Sequence, residues 1–284
     1  MDPLPAKPRR VGSRAARRII AFGGHELGGN PHDRAVRDLL LDAAARRAGE
    51  AATREPGPPR ICLLPTASGD PVEQCARFHG AFADRGCEVS DLSLFRLTRR
   101  PVALRDLLLS QDLIYVGGGS LVNLLAIWEA HDVGAMLRLA WQQGIVLGGQ
   151  SAGAMCWFEA GVTKSWGPST ATAGLGYLPG ALCVHYHGEP DRRAAFLAAV
   201  GRGMPGGYGL DDHAALIWEG ERLAEALSLR EGAGAYSVAV RDGEVVETAL
   251  AARPVRLVET LPEADEIAEL RQVLRIRPRL VRRA

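Results

Sequence analysis

The chain has 284 residues, 47% hydrophobic and 24% charged, with a net charge of +1. That is an ordinary globular composition for one large domain, with no apolar run long enough to span a bilayer and no apolar segment behind the basic start to make a secretory signal. Residues 1–18 hold six Lys/Arg and one acid, and residues 271–284 hold six Arg and no acid, so the ends sum to +11 and about −10 is left for 19–270. With no aromatic or base-reading motif beside that charge, the ends read as solvated tails and no nucleic-acid partner is expected. Cys62, Cys75, Cys87, Cys156 and Cys183 are odd in number and lack C-x-x-C spacing, which implies reduced thiols and a cytoplasmic location.

In chain order, Arg18–Phe22 reads as a first strand ending in Gly23-Gly24. A helix follows over Pro31–Arg47, with Pro31 suited to its first turn. After a Gly/Pro loop over 48–59, Arg60–Leu64 is a strand closed by Ala67-Ser68-Gly69. A helix over Pro71–Arg85, a strand near Cys87–Leu94 and a short helix over Pro101–Ser110 come next. Asp112–Val116 is a strand closed by Gly117-Gly118-Gly119. Leu121–Trp128 and Val133–Gln143 are helices, Ile145–Leu147 is a strand, and Ala152–Phe158 opens a helix. The stretch from Gly161 to Gly176 reads as a long polar loop able to cover a site. Strands at Ala181–His187 and Ala214–Trp218 flank a helix at Arg192–Val200. Arg222–Ala226, Tyr236–Arg241 and Glu244–Leu250 read as antiparallel strands, with Asp242-Gly243 as a hairpin turn. The β-α alternation predicts a mainly parallel sheet with helices on both faces. Sites in such sheets lie at the carboxyl ends of strands, where four Gly-rich or small-residue turns converge.

One of those turns is Gly149-Gln150-Ser151-Ala152-Gly153. Between a strand and a helix, G-x-S-x-G is a nucleophile elbow: small flanking residues permit a tight turn, and the Ser is driven outward. A Ser nucleophile needs a base, and the base an orienting acid. Two triads can be written, Ser151–His185–Asp212 and Ser151–Asp191–His213. The first is favoured, because His185 ends a strand and Asp212 precedes the next. Cys183, His185 and His187 alternate along one strand, but their spacing is not a zinc signature, so no metal is expected. Gly117-Gly118-Gly119-Ser120 lacks dinucleotide-loop spacing. It reads as backbone approaching the site, with the Gly118 and Ala152 N–H groups as an oxyanion hole.

Four stretches carry a family resemblance: Tyr115-Val116-Gly117-Gly118-Gly119, Gly149-Gln150-Ser151-Ala152-Gly153-Ala154, Cys183-Val184-His185-Tyr186-His187-Gly188-Glu189 and Gly209-Leu210-Asp211-Asp212-His213-Ala214-Ala215. Together the chain resembles the peptidase E family of serine peptidases, which includes α-aspartyl dipeptidase and cyanophycinase, and is most similar to its uncharacterised bacterial branch. The resemblance implies an α/β, flavodoxin-like, three-layer sandwich related to class I glutamine amidotransferases, with a small antiparallel C-terminal part. It implies Ser151 as nucleophile, His185 as general base and Asp212 as the third member, where relatives carry Glu. It sets boundaries at 1–17 (basic tail), 18–258 (catalytic domain) and 259–284 (basic helix or tail). Gln150, Ser120 and Lys164 are the expected substrate contacts, with Arg192 and Arg193 as further cations. Ser120-Leu121 replaces the usual Asn-Thr or Asn-Ser, and Thr163-Lys164-Ser165 stands where relatives often carry an acid. The expected activity is hydrolysis of short peptides, N-terminal Asp dipeptides among them, without a cofactor, by a monomer or homodimer away from membranes. The alternatives are a cyanophycinase-like β-Asp-Arg peptidase, another amidase or esterase, and a non-catalytic small-molecule-binding relative.

Overall fold

A computed structural model of the protein describes residues 16–25, 27, 31–50 and 57–255. The elements are β1 (Arg18–Phe22), α1 (Pro31–Glu50), β2 (Arg60–Leu64), α2 (Val72–Phe82), β3 (Glu88–Asp91), α3 (Leu104–Leu109), β4 (Leu113–Val116), α4 (Leu121–Ala130), α5 (Val133–Gln142), β5 (Val146–Gln150) and α6 (Ala152–Met155). They continue with β6 (Phe158–Thr163), β7 (Thr170–Ala173), β8 (Leu178–Val184), α7 (Arg192–Gly201), β9 (Gly207–Leu210), β10 (Ala214–Glu219), β11 (Arg222–Ser228), β12 (Ala235–Arg241), β13 (Glu244–Ala249) and β14 (Ala252–Pro254). All but Ala16 and Arg17 of the expected N-terminal tail, and all of 259–284, lie outside the described residues.

The strands form two sheets. The first has eight strands in the order β14-β11-β10-β1-β5-β4-β2-β3. Its β1-β5-β4-β2-β3 half is parallel throughout, and β10 closes it in antiparallel pairing with β1. The apolar runs seen in the sequence are buried on both faces, as a parallel sheet requires. Ile19, Ala21, Cys62, Leu64, Ile114, Val116 and Leu147 face one core, while Ile20, Phe22, Ile61, Leu63, Leu113 and Tyr115 face the other with residues of α1 and α2. The architecture is thus mixed α/β with a mainly parallel central sheet.

The second sheet has six strands, β13-β12-β9-β8-β6-β7, with β6-β8-β9 parallel. One face packs on the first core through Phe158, Leu178, Leu182, Val184 and Leu210. The other is covered by α7 through Phe196, Ala199 and Val200. The antiparallel C-terminal part of the sequence reading therefore divides, with β11 in the first sheet and β12 and β13 in this second one. The elbow helix is also shorter than expected, because Trp157 and Phe158 are fully buried. They turn away to pair with the returning chain, with Tyr177 and Leu178 N–H both bonding to Trp157 O. The polar loop expected over 161–176 is largely a β6–β7 hairpin. At the Asp242-Gly243 turn both residues take positive φ, 52° and 84°, as a type I′ hairpin demands.

Strand β9 has no apolar alternation because its glycines are spacers. A Cβ at Gly207 would sit 1.9 Å from Ala181 O, and one at Gly209 would sit 2.6 Å from the Tyr186 ring. Close backbone approach of this kind is a main use of strand Gly. Gly207→Ala should therefore lower stability by about 2–3 kcal/mol. Gly80→Ala, at an exposed position of α2 with nothing within 4 Å of the new Cβ, should raise it by roughly 0.5–1 kcal/mol. Urea midpoints of the two variants check this pair; equal shifts would contradict it.

Candidate active site

The site is built at the seam between the two sheets. In the first, β5 ends beside β1 with Gln150 level with Phe22, and Ser151 N–H donates to Phe22 O at 3.2 Å. In the second, β8 and β9 run parallel in register, Val184 level with Leu210. The residues that follow, His185 and Asp211-Asp212, therefore leave the sheet together. Strand β8 stops at Val184 rather than His187, because His185 turns to φ 52° and swings its ring out of the strand.

The turn at Ser151 is a strained one, with φ 52° and ψ −117°. Three glycines allow it. A Cβ at Gly149 would lie 2.1 Å from Gly153 O, and one at Gly153 would lie 2.3 Å from Val116 O. One at Gly118 would come within 3.2 Å of Ser151 Cβ, so the β4 loop lies directly alongside the serine. With α6 only four residues long, the local N–H groups rather than a long helix dipole are available to a negative charge.

Ser151 Oγ and His185 Nε2 are 2.9 Å apart, and His185 Nδ1 and Asp212 Oδ1 are 2.5 Å apart. The His185 side chain is 22% exposed and that of Asp212 41%. Gly24 at the end of β1 braces the pair: a Cβ there would be 2.2 Å from Asp212 Oδ1 and 2.6 Å from His185 Cε1. The hydrogen bond from His185 holds the Asp212 carboxyl below its ordinary range, against the opposing effect of burial. Asp212 is thus a carboxylate at neutral pH, and it fixes the ring with Nε2 facing the serine. This chain of hydrogen bonds can lower the cost of deprotonating a hydroxyl and return the proton to a leaving group.

Of the two triads the sequence permits, the geometry brings together Ser151, His185 and Asp212. Asp191 is exposed at the start of α7. Cys183, His185 and His187 do not converge. Cys183 is buried in the cluster under α7, where burial pushes its thiol up to about 12, and His187 turns to Asp211, its Nδ1 2.9 Å from Oδ1. Among the described residues no His/Cys/Asp/Glu group is arranged to hold a metal ion, and no helix is long and apolar enough to cross a membrane.

The expected substrate contacts fare differently. Gln150 lines a cavity beside the elbow. Ser120 Oγ accepts from Asn123 N–H at 3.2 Å and so caps α4. Lys164 Nζ lies 3.2 Å from Glu189, Arg192 is buried and pairs with the same Glu189 at 3.0 Å, and Arg193 pairs with Glu247.

Two residues escaped the sequence reading. Asp211 accepts from the His187 backbone N–H at 3.1 Å and the Gly234 N–H at 3.0 Å, so it ties the loop carrying His185 to the loop carrying Asp212. Its sequence signal was its place next to Asp212 in the Gly209–Ala215 stretch, which did not mark it as a tether. His25 is buried, with Nε2 2.9 Å from the Tyr115 hydroxyl, and burial pushes its imidazole down to about 3. It is therefore neutral beside the site, and nothing in its sequence context marks it.

Asp212 also makes stability depend on pH. Its folded-state pKa is depressed, so its contribution is present above the ordinary carboxylate value of about 4 and is lost as pH falls through the lower folded value. The urea midpoints of the wild type and Asp212→Asn should differ at pH 6 and converge toward pH 3. A difference that stays constant over that range would contradict the assignment.

Residues 19–226 match the family model described as Peptidase family S51. The chain is 40% identical over 235 residues to the protein named uncharacterized peptidase YgaJ of Bacillus subtilis (strain 168), a match covering 82% of this chain and 97% of that protein. Among solved structures, a peptidase from an acI-B1 actinobacterium superposes with a TM-score of 0.58 at 18% identity, covering 84% of this chain and 96% of the other. A putative peptidase E protein from Listeria monocytogenes EGD-e gives a TM-score of 0.52 at 17% identity over 76% of this chain and 100% of that one. At such identities the two structures speak to the fold alone, which they share with this chain.

Proposed function

The chain belongs to peptidase family S51, and on that premise we propose that it hydrolyses short peptides through an acyl-enzyme formed on Ser151. The observation that carries this reading is the unbroken hydrogen-bond chain Ser151–His185–Asp212 with its serine on a strained elbow. Ser151 Oγ attacks the peptide carbonyl as His185 Nε2 takes its proton. Asp212 stabilises the imidazolium that forms, without taking the proton itself. The same proton passes to the leaving amine, and water then repeats the sequence on the ester. Asp212 is one methylene shorter than the Glu implied by the family resemblance, yet it reaches Nδ1, because Gly24 leaves room for the pair to close up.

The oxyanion would be held by the N–H groups of Gly118 and Ala152. Gly118 abuts the serine, and Ala152 opens α6, where a first-turn N–H has no partner within its helix. Donors of this kind are worth about 10²–10³-fold in rate each. Gln150 is the substrate contact; Ser120 and Lys164 act by shaping the entrance, one as a helix cap and the other through Glu189. Aspartyl specificity draws no support from Lys164, Arg192 or Arg193, since all three are paired with Glu189 or Glu247. The complete triad weighs against a non-catalytic relative.

Ser151→Ala should reduce hydrolysis of a panel of aminoacyl-para-nitroanilides by at least about 10³-fold while leaving the circular dichroism spectrum and urea midpoint close to those of the wild type. Retention of wild-type turnover by a folded Ser151→Ala protein would overturn the proposal.

A further inference from the structure

We infer that Gln74, on α2, is a positioning residue for the Gly118 N–H, whose direction it sets by wedging against Gly117. This rests on the reading of Ser151 as nucleophile and of Gly118 as an oxyanion donor, and it names what aims that donor. Three consecutive glycines have no side chains with which to hold their own conformation, and their backbone is the most costly to order. Yet each one's Cβ position is taken by a neighbour. A Cβ at Gly117 would lie 2.8 Å from the Gln74 side-chain amide, one at Gly118 3.2 Å from Ser151 Cβ, and one at Gly119 2.2 Å from Ala67 O. The loop is therefore shaped from outside.

Its two ends are held by backbone bonds. Gly117 N–H donates to Leu64 O at 3.1 Å, and Ser120 N–H to Ala67 O at 2.8 Å. The turn that carries Ala67 is itself closed, with Ser68 N–H and Asp70 N–H both bonding to Pro65 O, and Trp128 Nε1–H donates to Thr66 Oγ1 at 3.4 Å. Between these ends, Gly118 N–H has no hydrogen-bond partner among the described residues, as a donor kept for a substrate oxygen requires.

That N–H belongs to the planar peptide unit joining Gly117 to Gly118, so rotation at Gly117 turns it. Gln74 lies against Gly117 and blocks that rotation. The side chain is held in turn. One end of its amide meets the Ser68 hydroxyl at 2.6 Å, and Ser68 Oγ donates to Pro65 O at 2.9 Å, which ties Gln74 to the same turn that holds Ser120. The wedge depends on where the amide sits, whichever of its ends is the oxygen. A reacting group misplaced by about 1 Å can cost about 10²-fold in rate, and no other side chain meets Gly117 as closely.

The rate at which a fluorophosphonate probe labels Ser151 tests this, because the probe's phosphoryl oxygen takes the place of the substrate carbonyl oxygen and no peptide specificity is required. Gln74→Ala should label about 10–100-fold more slowly than wild type. Its urea midpoint should stay close to that of the wild type, since Ala favours the helix. The pH of half-maximal rate should not move, because the His185–Asp212 pair is untouched. Gln74→Met, which keeps the length of the side chain against Gly117, should label within about threefold of wild type. A wild-type rate in Gln74→Ala, a loss accompanied by a shifted pH midpoint, or an equal loss in Gln74→Met would overturn the inference. A wild-type protein that takes no label is a separate result, which contradicts the nucleophile and this inference with it.

Discussion

The site depends on one backbone constraint, the left-handed turn at Ser151. A non-glycine residue at φ 52° and ψ −117° costs on the order of 1–3 kcal/mol and persists only when its surroundings over-determine it. Here they do. The serine N–H is tied to Phe22 O on β1, its carbonyl accepts from Ala154 and Met155, and Gly149 and Gly153 let β4, β5 and α6 approach to distances no side chain would permit. The buried Trp157 and Phe158 then pull the chain off the helix and into the second sheet. The strain that aims the hydroxyl is thus held by the packing of the first core.

The second half of the triad is positioned by a different rule. His185 and Asp212 leave neighbouring parallel strands at the same level, so their meeting follows from sheet register. Asp211 pins one loop to the other, and Gly24 from the first sheet closes over both. Ser151 from one sheet and the His185–Asp212 pair from the other meet because the two sheets share a core that includes Leu147, Ala152, Val184 and Leu210.

Much of this was legible in the sequence. The parallel strands read as short buried runs with Gly-rich ends, the turn at Ser151 as G-x-S-x-G, and His185 and Asp212, which the structure brings together, as polar residues at strand ends. The second sheet was not legible, because a strand's alternation says which residues are buried but not which sheet buries them. Strand β9 escaped for a local reason: Gly207 and Gly209 are there to admit Ala181 and the Tyr186 ring, and spacing glycines carry no strand signal. The elbow helix was read too long, since Trp157 and Phe158 fit a buried helix as well as a buried strand. The cavity beside Gln150 draws on β2, α2, β4 and β5, residues brought together only by the fold, and Gln74 and Arg77 look like ordinary polar positions of an amphipathic helix.

The central claim is that His185 and Asp212 activate Ser151 as a nucleophile. Its most direct test is intact-protein mass spectrometry with a fluorophosphonate probe on wild type, Ser151→Ala and His185→Ala, followed by peptide mapping. The account predicts a single adduct on Ser151 in wild type, none in Ser151→Ala, and labelling slowed by orders of magnitude in His185→Ala. A folded wild-type protein that takes no label, or one labelled equally fast without His185, would contradict it.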